Sequence, residues 1–188
     1  ISASWYIYLA GEKIDQTVIQ EGFLNGNRRT RSDAAFLAGL SGDEVFLKDL
    51  REMLKDTTSD GFPYAVRALA MLDDDSSLPI IYKGLSSLSQ PKSEASIYAL
   101  IKIGSNKKFK NRVITDLQGM LPNAGRNTWF RITRVLYALG DEDAAVDMRK
   151  RGLKQFAFEK ASGLLLGENE DWDGGIWIRE YLQKKKDP

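Results

Sequence analysis

The chain contains no cysteine and no histidine among its 188 residues. Without cysteine, it cannot form disulfides, thiolate nucleophiles, zinc–thiolate sites or iron–sulfur clusters. Without histidine, it lacks the usual general base and the commonest transition-metal ligand, so Ser-His-Asp and Cys-His catalysis are excluded. Because catalysis would have to rely on Asp, Glu, Lys, Arg, Tyr or Ser, we expect a binding protein rather than an enzyme, and no cofactor.

A large charge of one sign and long apolar runs are also missing. Lys and Arg number 27 and Asp and Glu 26, so the net charge of +1 gives no overall attraction to nucleic acid or anionic lipid. No apolar run approaches the ~18 residues of a membrane-spanning helix, and we expect no membrane span. With 43% hydrophobic residues, residues 1–188 are sufficient for the core of one domain.

Six short breaks recur along the chain, each between two apolar stretches of helical spacing. The last apolar residues before successive breaks are 27 to 36 residues apart. They are Leu9, Leu40, Leu72, Ile103, Leu139 and Leu166. A period of this length is typical of stacked helical hairpins. Since no stretch shows sustained strand alternation, the sequence predicts an all-α fold of about six hairpins.

The residues around each break fit a helix, a tight turn and a second helix. Glycine at the turn tolerates a positive φ, and the following Asp or Ser caps the next helix. The apolar stripes of the first helices are Ala34, Ala35, Leu37, Ala38 and Leu40; Ala65, Ala68, Leu69 and Leu72; and Ile132, Val135, Leu136 and Leu139. Those of the second helices are Val45, Phe46, Leu47, Leu50 and Leu54; Leu78, Ile81, Leu85 and Leu88; and Val113, Ile114, Leu117 and Leu121.

The stretch "YAVRALAMLDDDSSLPIIYKGLSSL", residues 64–88, combines an Ala-rich helix, an acidic turn and a Leu-Pro start of the next helix. This pattern resembles HEAT-like repeats. The stretch "LGDEDAAVDMRKRGL", residues 139–153, is similar to a tetratricopeptide repeat, although that pattern has an aromatic residue where this chain has Arg149. Either resemblance implies a right-handed α-α superhelix, or solenoid, that holds a protein or peptide partner in its concave groove.

The ends of the chain carry no distinctive polar cap of the kind that terminal repeats have. The first residues are "ISASWYIYLA" and the last are "YLQKKKDP". We therefore expect either a fragment of a longer array or ends that are closed by their own aromatic residues.

Basic residues are concentrated in two segments, "KKFKNR" at 107–112 and the stretch 126–154. In HEAT-like arrays the second helices line the concave face, so the resemblance implies one basic stripe. Its members would be Lys107, Lys108, Lys110, Arg112, Arg149, Lys150, Arg151 and Lys154. Together with two residues upstream, the predicted partner-binding residues are Tyr82, Lys83, Lys110, Arg112, Arg149 and Arg151. Charges on the convex face are expected at Arg67 and Arg134.

Such a stripe would attract an acidic peptide or phosphate groups. The alternative is an ordinary solvated helix face whose charges have partners one turn away. Because some HEAT-like proteins are DNA glycosylases that act through Asp and Trp beside a basic groove, nucleic-acid binding is a second functional hypothesis. No motif in the sequence selects it.

The stretch "NEDWDGGIWIRE", residues 169–180, is similar to the calcium loop of an EF-hand. Asn169, Asp171 and Asp173 fall at alternate ligand positions and Glu180 at the distal bidentate position, and calcium prefers such hard oxygen ligands. A calcium-responsive adaptor is therefore a third hypothesis. The alternative is that these acids cap a helix, and the same two interpretations apply to residues 73–75.

Overall fold

The computed structural model describes residues 15–55, 61–144 and 146. They form helices joined by short turns, with no strand in these ranges, which confirms the all-α prediction for this part of the chain. The α-helices are α1 (Gln16–Asn25), α2 (Arg28–Ser41), α3 (Leu47–Lys55), α4 (Gly61–Met71), α5 (Leu78–Gly84), α6 (Gln90–Gly104), α7 (Lys107–Met120) and α8 (Arg126–Ala138). Single 3-10 turns precede α3 (Glu44–Phe46), α5 (Asp75–Ser77) and α8 (Leu121–Asn123).

The helices pack in the order in which they occur along the chain. Helix α2 contacts α4, α4 contacts α6, and α6 contacts α8; we call α2, α4, α6 and α8 the helix row. Helices α1, α3 and α5 pack on α2, α4 and α6 respectively, and α7 contacts both α6 and α8. Each helix of the row is therefore held by its neighbours in the row and by a companion helix.

Small residues allow the helices of the row to approach closely. Alanines on the contact faces are fully buried, including Ala35 in α2, Ala68 in α4 and Ala99 in α6. A Cβ built on Gly39 would lie 2.8 Å from the Cα of Ala68, so α2 and α4 meet almost backbone to backbone. The faces of α2 and α4 are first-helix stripes that the sequence predicted, whereas the face of α6 was not among them; all three belong to the core.

The predicted second-helix stripes are confirmed except at their ends. Phe46, Leu50, Leu78, Ile81 and Leu117 are buried as predicted. The prediction was wrong for two other members, Val45 and Leu88, which are 51% and 101% exposed. The first belongs to the 3-10 turn before α3, and the second follows the end of α5 at Gly84, so neither continues the buried face of a helix.

Two of the predicted turns have the expected geometry. Gly42 and Gly140 adopt φ of 70° and 85°, the left-handed conformation in which glycine ends a helix at low cost. The carboxylate of Asp43 then accepts the backbone N–H of Val45, and that of Asp141 accepts the N–H of Ala144. The turns predicted near Leu9 and Leu166 lie outside the described residues.

Gly104 follows Ile103 at the fourth break, and the turn geometry predicted for glycine at the breaks was wrong there. This glycine is the last residue of α6 rather than a left-handed residue after the helix, and Ser105 follows it in right-handed geometry. A Cβ on Gly104 would lie 2.7 Å from a methyl group of Leu139, so the glycine provides space for packing. The residue that caps α7 is Asn106 and not Ser105, which directly follows the glycine: the Asn106 side chain accepts a hydrogen bond from the N–H of Lys108.

The prediction that the acidic turn (residues 73–75) caps α5 was wrong. The carboxylate of Asp74 makes no hydrogen bond to the helix N–H groups. Instead, it accepts hydrogen bonds from Nη2 of Arg51 at 2.6 Å and from the hydroxyl of Ser76 at 2.7 Å. Asp75 binds Arg112, and Asp73 accepts the amide of Asn106. The turn therefore links α3 on one side to the start of α7 on the other.

No helix within the described ranges is both long and apolar enough to cross a membrane.

Candidate functional site

Four of the six predicted partner-binding residues lie in the described part of the chain. Lys83 is exposed on α5, Lys110 and Arg112 are exposed on α7, and Tyr82 is half-buried. The structure brings α5 and α7 together at Tyr82, whose hydroxyl donates to Asp116 Oδ2 at 2.9 Å. The remaining two, Arg149 and Arg151, lie outside the described residues, as do Lys150 and Lys154, so a stripe that includes them stays a prediction.

Two carboxylates lie beside the arginine of this stripe. Arg112 Nη1 donates to Asp75 Oδ2 at 2.9 Å, and its Nε lies 3.9 Å from Asp116 Oδ2. Burial and the Asp116 carboxylate raise the pKa of the Tyr82 phenol well above its ordinary value. The bond to Asp75 joins α7 to the acidic turn. Because two carboxylates neutralise the positive charge of Arg112, its guanidinium contributes little net charge to a groove.

Arg67 and Arg134 are not exposed convex-face charges, so that prediction was wrong. They are only 7% and 6% exposed, because they lie on α4 and α8 of the helix row. Arg134 Nη1 lies 3.3 Å from Glu94 Oε1 of α6. Burial lowers the pKa of Arg67 to about 10. Both are therefore interior charges.

A groove of about 1160 Å³ lies between the N-terminal halves of α6 and α8; we call it the α6–α8 groove. Gln90 and Glu94 of α6 form one side. The other side is α8, and Leu121, Pro122 and Ala124 from the connection before it also line the groove. The α8 side chains that line it include Arg126, Trp129, Phe130, Arg131 and Arg134.

Arg131 fixes α8 against the connection between α5 and α6. Its Nη1 donates to the carbonyl oxygens of Leu85 at 2.7 Å and Ser87 at 2.8 Å. These carbonyls belong to the turns that end α5, where backbone acceptors lack helical partners. The same connection carries the fully exposed Leu88. The guanidinium therefore holds this connection at the edge of the groove.

The electrostatics of the groove are positive. Three arginines and one glutamate line it, and the ion pair to Glu94 balances only Arg134. Neither α6 nor α8 has an acidic residue in its first turn, and neither Ser89 nor Gly125 makes a side-chain cap bond. Since a helix N-terminus carries partial positive charge, both helices add to the charge of the arginines.

A second groove, of about 770 Å³, lies near the start of α2 and the end of α3. Arg28 and Arg31 line it together with Asp49 and Glu52. Lys55 also lines it and pairs with Glu52, so three basic and two acidic side chains are mixed there. The excess of positive charge is therefore smaller than in the α6–α8 groove, where three arginines meet one glutamate. The α6–α8 groove is the stronger candidate.

The sequence shows that the stretch 126–154 is basic, but the predicted partner-binding residues included none of the residues that line the α6–α8 groove. The available signal was "RNTWFRITR", residues 126–134, in which two aromatic residues stand between arginines. Helical spacing alone could not show that Phe130 and Arg131 would face α6, because that depends on how α8 packs on the row.

Metal binding has no candidate in the described ranges, where no group of three or more Asp or Glu side chains is placed to hold an ion. The side chains of the acidic turn are instead bonded to Arg51, Asn106 and Arg112. The predicted calcium ligands Asn169, Asp171, Asp173 and Glu180 lie outside the described residues, so that site stays a prediction.

A scan against protein-family models matches no family, and a search of curated proteins finds no match to this chain.

Proposed function

We propose that this chain is a HEAT-like α-solenoid that acts as a scaffold or adaptor, and that it binds a protein or peptide partner in the α6–α8 groove. The observation that carries the proposal is the groove itself, in which aromatic and arginine side chains lie side by side at an opening between two helices of the row. Aromatic residues and arginine are the types most enriched among the residues that dominate protein–protein binding energy.

The order of the helix contacts supports the solenoid. Helices α2, α4, α6 and α8 contact one another in sequence, and companions pack beside them. In repeat arrays each unit contacts mainly its neighbours, which leaves extended surfaces for partners. We place the partner in the α6–α8 groove rather than on the stripe of Tyr82, Lys83, Lys110 and Arg112, because Asp75 and Asp116 balance the arginine of that stripe.

The test is site-specific photo-cross-linking of the full chain in its source cells. A photoreactive residue replaces Asn127, which is exposed at the edge of the groove, or, in a matched sample, Lys110 on the stripe. Cross-linked proteins are identified by mass spectrometry, purified and titrated against the unmodified chain by calorimetry. We expect a saturable partner that is captured from position 127.

The affinity of the purified partner for variants of the chain then shows which of the two surfaces it binds. Phe130→Ala should weaken its binding by about tenfold, which is typical for an interface aromatic residue, whereas Lys110→Glu should leave the affinity unchanged. Loss with Lys110→Glu alone would place the partner on the stripe. The absence of any purified protein that binds the chain would overturn the proposed function.

Nucleic-acid binding remains the second candidate, because Arg126 and Arg131 could also face phosphates. It predicts that a single-stranded oligonucleotide binds with an affinity that falls steeply with salt concentration. A fluorescence anisotropy titration at two salt concentrations separates this candidate from the first.

A further inference from the structure

The α6–α8 groove has an uncompensated positive side. Arg126 is exposed at the first position of α8, and Arg131 is half-buried at the side of the connection after α5. The third arginine, Arg134, faces Glu94 at 3.3 Å. Among the described residues that line the groove, the one carboxylate is that of Glu94, which lies against Arg134, so the guanidinium groups of Arg126 and Arg131 have no lining carboxylate of their own.

Arg131 is held ready for a ligand. Both of its bonds to the carbonyls of Leu85 and Ser87 use Nη1, so within the described part of the chain Nε and Nη2 keep their protons for another acceptor. Because these bonds already fix the plane of the guanidinium, little side-chain entropy is lost when an acceptor binds. A carboxylate suits such a planar fork, since it can accept two parallel N–H bonds.

Apolar surface lies next to these charges. Leu121 and Pro122 form the side of the groove that comes from the end of α7, and Phe130 lies on α8 with its ring 5.9 Å from the guanidinium carbon of Arg134. A ligand that fits this arrangement carries negative charge and an apolar side chain close together. Acidic peptide segments with an aliphatic or aromatic residue have this chemistry.

We propose that the α6–α8 groove recognises an acidic segment of the partner protein, with Asp or Glu side chains at Arg126 and Arg131 and an apolar side chain against Phe130. This inference rests on the proposed function and adds the chemistry of the partner. Nucleic acid fits less well, because a phosphate backbone requires a longer run of cations and the whole chain has a net charge of only +1.

The experiment is a selection of short random peptides displayed on phage against the immobilised full chain. Selected peptides are synthesised with a fluorescent label and titrated by anisotropy against the wild type, Arg126→Glu and Phe130→Ala. The matched control is Lys48→Glu, an equal charge reversal at an exposed residue of α3 that does not line the groove. A single-stranded oligonucleotide with the same number of negative charges is titrated in parallel.

We expect the selected peptides to contain Asp or Glu beside an apolar residue. Arg126→Glu should weaken their binding about fivefold or more, as for loss and reversal of an exposed ion pair, and Lys48→Glu should have no effect. Circular dichroism of each variant should match the wild type, which excludes misfolding as the cause.

Three results would overturn the inference in distinguishable ways. Neutral or basic peptides that bind through Phe130 but ignore Arg126→Glu would leave the proposed function intact and refute the acidic partner. Tighter binding of the oligonucleotide would favour nucleic acid as the ligand. If no peptide binds above the level of a blank support, both this inference and peptide binding by the groove are wrong.

Discussion

At the scale of single residues, the carboxylate of Asp74 is heavily bonded. It is 5% exposed and accepts hydrogen bonds from Arg51, Ser76 and Ser77. Burial acts to raise the pKa of this carboxyl, but the bonds from Arg51 and the two serines outweigh it and hold the pKa below its ordinary value. The ionised form therefore stabilises the fold.

Asp74→Asn should lower the free energy of unfolding by about 2 kcal/mol at pH 7, because it removes a buried charge that Arg51 and two hydroxyls require. Since the pKa of the folded state is lowered, the stabilisation is complete above the ordinary value of about 3.9 and is lost as pH falls through the folded-state pKa. Urea unfolding followed by circular dichroism should show the two proteins converging below about pH 4. Glu21→Gln, at an exposed residue of α1, is the control; an equal loss there would refute the assignment.

Two helical glycines form a second test at this scale. Gly39→Ala should cost about 1–3 kcal/mol, because its Cβ would lie 2.8 Å from the Cα of Ala68 and backbone cannot move aside easily. Gly119→Ala, in α7, meets nothing within 4 Å and should be neutral or stabilising by up to about 1 kcal/mol. Thermal unfolding of both variants checks the difference. Similar melting temperatures would mean that α2 and α4 are not in close contact.

At the scale of elements, the C-terminal end of helix α5 is determined by packing and not by the local sequence pattern. The apolar pattern continues through Leu85 to Leu88, yet α5 ends at Gly84. A Cβ on Gly84 would lie 2.0 Å from Ser96 Oγ of α6, so α5 crosses α6 at its last residue. The bonds from Arg131 then hold the following connection against α8.

Residues 169–180 lie outside the described residues, and the calcium loop proposed there is a prediction from the sequence. If it binds calcium, millimolar calcium should raise the melting temperature, because a ligand that binds the folded state stabilises it by mass action. Glu180→Gln should abolish the rise, whereas Glu142→Gln, an exposed acid elsewhere in the chain, should leave it unchanged. A melting temperature that does not respond to calcium would leave these residues as helix caps.

At the scale of the whole molecule, chain-ordered packing predicts a gradient of local stability. Helices α4 and α6 have row neighbours on both sides as well as companions, and they hold many of the fully buried side chains. Local openings cost most where buried apolar contacts are densest. Their amide protons should therefore exchange most slowly, and those of α1 and α3 faster. Hydrogen–deuterium exchange with mass spectrometry checks this order, and uniform protection would indicate a single compact bundle instead of an array.

The sequence by itself determined the helical class, the position of most described turns and the buried stripes of the first helices. These features depend on local rules: the apolar period of a helix, glycine at Gly42 and Gly140, and capping side chains such as Asp43 and Asp141. Each rule acts within a few residues, so a linear sequence contains the whole signal.

Only the tertiary structure decided which charges are exposed and which residues from distant parts of the chain meet. Arg67 and Arg134 look like surface residues in the sequence but are buried, because the orientation of a helix within the row is set by its neighbours. Arg131 meets Leu85, Arg51 meets Asp74 and Arg112 meets Asp75 across 46, 23 and 37 residues of chain. The groove depends on the same contacts, since its two sides are brought together only when α8 packs on α6.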